Sequence, residues 1–321
     1  MTYEAVTKET RTLVVQAWYR TLEEYPADDR ENFFEAGGNS VLLVQLQSEL
    51  TESLGGVRVP LKDIRRAPTV EGLLKSISEL GASPEERVPG RLDLYCLPYA
   101  GCSARVFDSW RGWLPESVRL MPLELPGRGS RSAEPAIDSL PLLLQDLSSA
   151  LGDRDGEFAV FGHCFGALIA NELIRFRRSR SLSQPRHLVV SACRAPHLAT
   201  PEERTHDLPF GELKERLRQQ GGTPAELLEN DELMELYVPT LRADYSIYDH
   251  YRVSDDGPLE CPVLALYGED DAEADRAGME QWRGYSTGPF AIEPVAGGHF
   301  FAQTSEAAVV EKVCRWLGVP R

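Results

Sequence analysis

Gly162, Cys164 and Gly166 alternate directly after the apolar run Phe158-Ala159-Val160-Phe161, and a second apolar, helix-favouring run follows at Ala167-Leu168-Ile169-Ala170. Strand, one sharp turn, helix is the pattern that lifts a single side chain above a sheet edge and leaves it at a helix N-terminus. Glycines flank the turn because strand and helix approach too closely there for a side chain. Cys164 is therefore the candidate nucleophile. A thiol starts near a pKa of about 8.5, and a helix N-terminus or an imidazolium lowers it towards the reactive thiolate. The N–H of Phe165, next in the chain, is a candidate oxyanion donor. A small buried cysteine in a tight turn is the plainer alternative. The agreement of strand, glycines and helix argues against it.

A thiol nucleophile needs a base to take and return its proton and a group to hold that base in one tautomer. Among the six histidines, only His299 stands in a Gly-Gly-His turn just after an expected strand, Pro289 to Val295, and downstream of the other candidates. His163, inside the turn motif, is expected beside the nucleophile as a pocket wall. His187, His197, His206 and His250 read as surface, strand-end or lid residues. The candidate acid is Asp271, in Gly268-Glu269-Asp270-Asp271 after an expected strand from Cys261 to Tyr267, with Asp270 its direct rival. Either carboxylate would serve equally as a helix cap. Leu92 to Pro98 reads as a strand opening into Tyr99-Ala100-Gly101-Cys102-Ser103. That small-residue loop suits the second oxyanion donor, with Ala100 N–H the candidate, although a plain strand-to-helix turn has the same spacing.

The elements that must hold these residues alternate between strand and helix. Further strands are expected at Arg119 to Leu125 and His187 to Cys193, with helices at Asp138 to Leu151 and Glu306 to Leu317. Such alternation implies a mostly parallel sheet with helices on both faces. The chain order nucleophile, acid, base is that of α/β-hydrolases. After the second strand, Pro126-Gly127-Arg128-Gly129-Ser130-Arg131 is either a phosphate contact or, more ordinarily, a turn with solvated arginines. Residues 201–251 are acidic and helical, with Pro209, Gly221, Gly222 and Pro239 expected to divide them into short helices. They are too long for a plain connection and read as an inserted lid.

Upstream, Val6 to Tyr25 carries Leu13, Val14, Ala17, Trp18 and Leu22 at helical spacing. Asn32-Phe33-Phe34-Glu35-Ala36-Gly37-Gly38-Asn39-Ser40 then leads into a helix with Leu43, Leu46 and Leu50 on one face. On pattern alone Ser40 is an N-cap and the Phe pair a core anchor. Gly81 to Arg91, rich in Pro, Gly and charge, reads as a linker. The expected division is thus a domain at 1–80, a linker at 81–91 and a second domain at 92–321.

Composition narrows the function. The chain has 321 residues and a net charge of −16, and an acidic surface argues against nucleic-acid binding. Hydrophobic residues make up 42%, enough for most of the chain to fold. The sequence holds no run of about 18 apolar residues, so no membrane span is expected, and no apolar signal region is visible in Met1 to Thr10. The six cysteines show neither a CxxC pair nor metal-ligand spacing, so no metal is expected, and they read as free thiols in a reducing cytoplasm.

Two resemblances sharpen this reading. The string Asn32 to Ser40 with its following apolar helix, together with Ala67-Pro68-Thr69-Val70-Glu71-Gly72-Leu73-Leu74, resembles the small all-α carrier four-helix bundle of peptidyl and acyl carrier proteins over about residues 5 to 80. By that resemblance Ser40 carries a covalent 4′-phosphopantetheine arm, added by a phosphopantetheinyl transferase. Asn39 departs from the usual His or Asp. Second, Leu97-Pro98-Tyr99-Ala100-Gly101, Leu125-Pro126-Gly127-Arg128-Gly129, Gly162-His163-Cys164-Phe165-Gly166, Arg194-Ala195-Pro196-His197, Leu241-Arg242-Ala243-Asp244 and Gly298-His299-Phe300 look like the thioesterases of nonribosomal peptide and polyketide assembly lines. The α/β-hydrolase domain is more similar to their type II, editing branch, because terminal enzymes often place the acid where this chain has Cys193-Arg194. The resemblance implies a triad of Cys164, His299 and Asp271, oxyanion donors at Ala100 and Phe165, and partners among adenylation, condensation or other carrier domains. The chief departure is cysteine in place of serine. The expected function is transfer of a carrier-bound acyl or peptidyl thioester to Cys164 and release by cyclisation, aminolysis or hydrolysis. The alternatives are an editing hydrolase acting on misloaded carriers, and a carrier or interaction protein with an idle hydrolase domain. A free-standing esterase leaves Ser40 without a role.

Overall fold

The computed structural model describes residues 3–53, 59, 61–81, 91–152, 157–198, 204–253 and 256–319. They divide into two compact units, Met1–Pro89 and Gly90–Arg321. Of the expected linker, 82–90 lie outside the described residues, and Gly81 closes a helix.

The first unit has four helices: α1 (Tyr3–Leu22), α2 (Ser40–Ser53), α3 (Leu61–Arg66) and α4 (Val70–Gly81). Their apolar stripes meet in one core in which Val14, Trp18, Phe33, Leu46, Leu50, Val70 and Leu73 are fully buried. Each such side chain contributes about 1.5–3 kcal/mol over leaving it in water. The Trp18 and Phe33 rings meet edge-on at 5.3 Å. Phe33 also fixes the loop before α2, where its N–H donates to Pro68 O at 2.7 Å and its carbonyl accepts from Gly38 N–H at 2.8 Å. A Cβ on Gly38 would fall into the Phe33 ring, which explains the second glycine of the pair.

The second unit is a six-stranded parallel sheet in the order β2-β1-β3-β4-β5-β6. The strands are β1 (Leu92–Leu97), β2 (Val118–Pro122), β3 (Phe158–His163), β4 (His187–Ser191), β5 (Val263–Gly268) and β6 (Phe290–Val295). Helices α5 (Leu140–Leu151) and α6 (Phe165–Ser179) cover one face, and α12 (Glu306–Leu317) with a 3-10 helix at Ala104–Gly112 covers the other. Because β2 lies on one side of β1 and β3 on the other, the order reverses at β1 and β3. The crevice at the C-terminal ends of such strands is where open α/β sheets place their sites. Between β4 and β5 come α7 (Phe210–Gln220), α8 (Ala225–Leu228) and α9 (Asp231–Asp249), with their own core of Leu213, Leu217, Met234, Val238 and Leu241. Small helices α10 (Arg276–Glu280) and α11 (Phe301–Thr304) follow β5 and β6.

Three expectations change. β2 stops at Pro122 and β4 at Ser191, each earlier than the apolar run suggests. Residues 201–203, the expected start of the lid, are not among those described. Pro239 does not divide the lid: α9 runs through it unbroken from Asp231 to Asp249. Proline removes one N–H donor from a helix interior and crowds the preceding turn, but Met234, Val238 and Leu241 are buried on either side and hold the helix together.

The steric demand at the end of β3 is testable. A Cβ on Gly162 would lie 2.5 Å from Ala167 Cα and closer still to the Gly166 carbonyl, both backbone atoms that cannot swing away. Gly162→Ala is expected to destabilise the second unit by about 2–3 kcal/mol, seen as a lower urea midpoint; an unchanged midpoint would refute the packing argument.

Candidate active site

β3 is buried along its whole length, so the chain can leave it only upward, past the sheet edge. Cys164 makes that exit with φ 54° and ψ −119°, a conformation costing about 1–3 kcal/mol for a residue with a side chain. The neighbours hold it there. Cys164 N–H donates to Ser191 O at 2.8 Å, and Cys164 O accepts from Ala167 N–H at 2.9 Å. A Cβ on Gly166 would lie 2.6 Å from Pro98 O and collide with Leu97 O, so α6 starts directly against the end of β1. Cys164 remains half-buried and lines a cavity of about 260 Å³.

His299 lines the same cavity. Its Nδ1 lies 2.8 Å from Asp271 Oδ2, and the Asp271 side chain is almost fully buried. Asp271 Oδ1 accepts from Glu273 N–H at 2.9 Å and Ala274 N–H at 3.1 Å, so both carboxylate oxygens are committed. Nδ1 therefore carries the proton and Nε2 is left for the Cys164 side. Asp270, the rival acid, is exposed; its backbone N–H donates to Gly297 O, and its side chain does not meet His299. Burial by itself would lower the His299 imidazole, but the charge and hydrogen bond of Cys164 and the bond to Asp271 outweigh it and raise it to about 11. Burial would raise Asp271, yet its bonds to His299 and to two backbone N–H groups hold it below the usual carboxylate range.

Ala100 and Phe165 also border the cavity. Phe165 opens α6, so its N–H is one of those that no intrahelical acceptor can reach. Ala100 N–H has no acceptor among the described residues, whereas its neighbour Gly101 N–H is taken by Asp244 Oδ2 at 2.7 Å. The structure thus brings Cys164, His299, Asp271, Ala100 and Phe165 together.

Two readings of single residues need correction. His163 is not a pocket wall: it is fully buried beneath the turn, its Nδ1 is 2.9 Å from Ser191 Oγ, and burial lowers it to about 3, so it stays neutral. The arginines after β2 are both engaged by carboxylates, Arg128 buried and Arg131 half-buried. Arg128 is buried against Asp244, and Arg131 is shared by Glu134 and Asp146. The cavity walls carry no motif of their own: Tyr237, Tyr245 and Tyr248 come from α9 and Phe300 from the turn carrying His299. The α9 residues recur at helical spacing, but reading Pro239 as a break hides the stripe. Burial raises Tyr237 to about 12, so its hydroxyl stays protonated at neutral pH.

In the first unit Ser40 lies exposed at the first position of α2. It is not the cap. Asn39 Oδ1 accepts from Val41 N–H at 2.9 Å and Leu42 N–H at 3.1 Å, and Asn39 O accepts from Leu43 N–H. Among the described residues the Ser40 hydroxyl has no partner. No acidic residue stands in the first turn of α2, so a phosphodiester there would meet the positive end of the helix unopposed. The residues present fit a phosphopantetheine.

The second unit, residues 93–317, matches the thioesterase domain. The chain belongs to the thioesterase family. It is a hydrolase of that family fused to a carrier: residues 12–77 match the phosphopantetheine attachment site, and 4′-phosphopantetheine is its covalent cofactor. The chain is 34% identical over 228 residues to the gramicidin S biosynthesis protein GrsT of Aneurinibacillus migulanus, covering 71% of this chain and 89% of GrsT. It is 31% identical over 303 residues, 89% of its length, to 14% of the AMB antimetabolite synthetase AmbE of Pseudomonas aeruginosa. Among solved structures it resembles RedJ, a thioesterase from the prodiginine biosynthetic pathway in Streptomyces coelicolor, with a TM-score of 0.65 and 34% identity over 69% of this chain and 89% of RedJ. Among the described residues no helix is long and apolar enough to cross a membrane.

The pH dependence of stability should follow the His299–Asp271 pair. Asp271, lowered in the fold, contributes fully above its unfolded value of about 3.9, and the contribution is lost as pH falls through the folded value. His299, raised in the fold, contributes fully below about 6.5 and loses its share as pH rises towards its folded value. The loss of Tm in Asp271→Asn is therefore expected to be largest between about pH 4 and 6.5 and to shrink below pH 4. A loss independent of pH in a thermal-melt series would contradict this.

Proposed function

We propose that this chain releases short acyl groups from phosphopantetheine thioesters in nonribosomal peptide assembly, with Ser40 as the arm's attachment point and Cys164, His299 and Asp271 as the catalytic triad. The observation that carries the reading is the aligned series Asp271–His299–Cys164 opening into a cavity bordered by Ala100 and Phe165. The arm supplies a terminal thiol that presents an acyl group as a thioester.

Cys164 Sγ attacks the thioester carbonyl while His299 carries the thiol's proton. Ala100 and Phe165 N–H receive the developing oxyanion. As the new carbon–sulfur bond forms, the old one breaks, and His299 Nε2–H protonates the departing thiolate. Water then gives a proton to Nε2, adds to the acyl carbon and breaks the bond to Cys164, whose sulfur takes the proton back. Asp271 holds the ring in one tautomer throughout.

Cavity size supports short substrates. About 260 Å³ lies below the roughly 300–1,000 Å³ that holds a drug-sized ligand, so a folded peptide has no room inside. The names of GrsT, a gramicidin S biosynthesis protein, AmbE, an antimetabolite synthetase, and RedJ, a prodiginine-pathway thioesterase, support a biosynthetic setting. Partners would be a phosphopantetheinyl transferase, adenylation and condensation modules, and other carriers. The six free cysteines suit a reducing cytoplasm.

The cysteine favours a second outcome. Exchange of one thioester for another is nearly isoenergetic, so acyl-Cys164 keeps its reactivity towards an amine, where a serine oxyester would lose part of it. Aminolysis or ring closure by a nucleophile on the acyl group then competes with water.

After phosphopantetheinylation and loading with a simple aminoacyl group, intact-protein mass spectrometry should find acyl mass on the arm and on Cys164. The second adduct should vanish in Ser40→Ala and in Cys164→Ala, and the latter should slow release at least about 1,000-fold. Acyl mass confined to the arm and unaltered by Cys164→Ala would instead identify a carrier with an idle hydrolase domain. Linear acid as the sole product, even with amine present, would remove the second outcome.

A further inference from the structure

One buried cluster above the sheet is not used by the reaction as described. Arg128 and Asp244 face each other with only 6% and 1% of their side chains exposed, bonded twice: Nη1 to Oδ2 at 2.5 Å and Nη2 to Oδ1 at 2.8 Å. Asp244 Oδ2 also accepts the Gly101 N–H at 2.7 Å. A buried ion pair is weak evidence for stability, since well-packed apolar residues often do as well or better. What it supplies here is direction: a fork of two donors fixes the carboxylate plane and leaves Oδ2 one lone pair on a fixed line. That line ends on the backbone of the loop that carries Ala100.

Three segments meet there. Asp244 belongs to α9, Arg128 to the loop after β2, and Gly101 to the loop after β1. Thr240 Oγ, one turn before Asp244, donates to Gly127 O at 3.0 Å and makes a second tie between α9 and the Arg128 loop. Gly101 has φ +74°, and a Cβ there would lie 2.8 Å from Tyr237 Cζ and 2.9 Å from Leu241 Cδ1. Tyr237, Leu241 and Asp244, at i, i+4 and i+7 of one helix, therefore all press on the same glycine. Tyr237 also lines the acyl cavity, with Tyr245 and Tyr248 of the same helix. The helix that shapes the acyl chamber is the helix that seats the loop bearing the candidate oxyanion donor.

We propose that Asp244, oriented by Arg128, is a positioning residue that locks the Tyr99-Ala100-Gly101 loop so that Ala100 N–H stands ready for the oxyanion, and that the seating of α9 and the completeness of the oxyanion hole are one event. This rests on the reading of Cys164 as nucleophile and Ala100 N–H as donor. A misplacement of about 1 Å at a reacting group costs on the order of 100-fold in rate, and loss of one oxyanion donor about 100- to 1,000-fold. Asp244→Ala frees the loop without removing the donor, so a fall of about 30- to 100-fold in kcat is expected, with KM within about threefold. Asp244→Asn keeps an acceptor for Gly101 N–H but loses the charge that holds Arg128, and should fall between variant and parent.

The test compares two reactions of the same sulfur in the full-length phosphopantetheinylated protein. One is turnover of an acyl-pantetheine thioester. The other is alkylation of Cys164 by iodoacetamide, followed by peptide mass mapping. Alkylation displaces iodide at a saturated carbon and forms no oxyanion. The expected result is a large loss of turnover in Asp244→Ala with alkylation within about twofold of the parent. Parallel loss of both rates would mean that the pair merely supports the site as a whole, and loss of neither would mean that the loop is held without it; each overturns the proposal. Should Asp244→Ala fail to fold, Asp244→Asn must show the same split on a smaller scale, and equal rates in Asp244→Asn overturn the proposal. Cys164→Ala, assayed alongside, separates the two levels: parent-like turnover there removes the nucleophile assignment and this inference with it, whatever Asp244 does.

Discussion

The close approach of β3 and α6 is the constraint on which the second unit depends. Parallel strands buried on both sides leave the chain one exit, and the exit must reverse direction within a residue or two. Gly162 against the Gly166 backbone, and Gly166 against Leu97 and Pro98, permit that reversal and also dock the start of α6 on the end of β1. The strain at Cys164 persists because the bonds to Ser191 and Ala167 and the packing around them over-determine it. From that one backbone feature follow a half-buried sulfur facing the cavity, a free helix-opening N–H at Phe165, and the nearness of the loop after β1. Preorganisation here is a consequence of packing.

Around that turn the polar groups are arranged in shells. Asp271 is satisfied by two backbone N–H groups and one imidazole, so little freedom is left to the His299 ring. His163, fully buried and neutral behind the turn, supports it through Ser191 and carries no charge at working pH. On the other side Asp244 of α9, held by Arg128 from the loop after β2, accepts the Gly101 N–H of the loop after β1. The helices between β4 and β5 are thus more than a connection, because α9 shares an interface with the loop that borders Cys164.

The carrier unit solves a different problem. An attachment serine must be exposed, near a helix N-terminus and free of other duties. Asn39 takes the capping role that a serine in that place would otherwise fill, and the Ser40 hydroxyl is left over. The departure at Asn39 therefore has a physical consequence: an amide caps α2 without bringing a negative charge beside the Ser40 hydroxyl.

Much of this was legible in order of residues. The strand–turn–helix signature around Cys164 is partly local, since Gly162 answers to contacts with Gly166 and Ala167, four and five positions on, and sequence spacing reveals such contacts directly, whereas Gly166 answers to the distant Leu97 and Pro98. The same holds for the carrier helices, whose apolar period marks Leu43, Leu46 and Leu50 for the core. By itself the sequence determined two folded units, a parallel α/β sheet with an insertion, a cysteine at the sharp turn and a serine before an amphipathic helix. Only the tertiary structure decided which carboxylate meets His299, because Asp270 and Asp271 are adjacent in the chain and differ only in the direction each side chain takes after β5. It alone also decided that Pro239 leaves α9 whole, and that Arg128 is a buried strut and not a solvated turn residue. The two polar pairings join residues 28 and 116 positions apart in the chain, and a spacing pattern carries no record of such contacts until the sheet order brings them together.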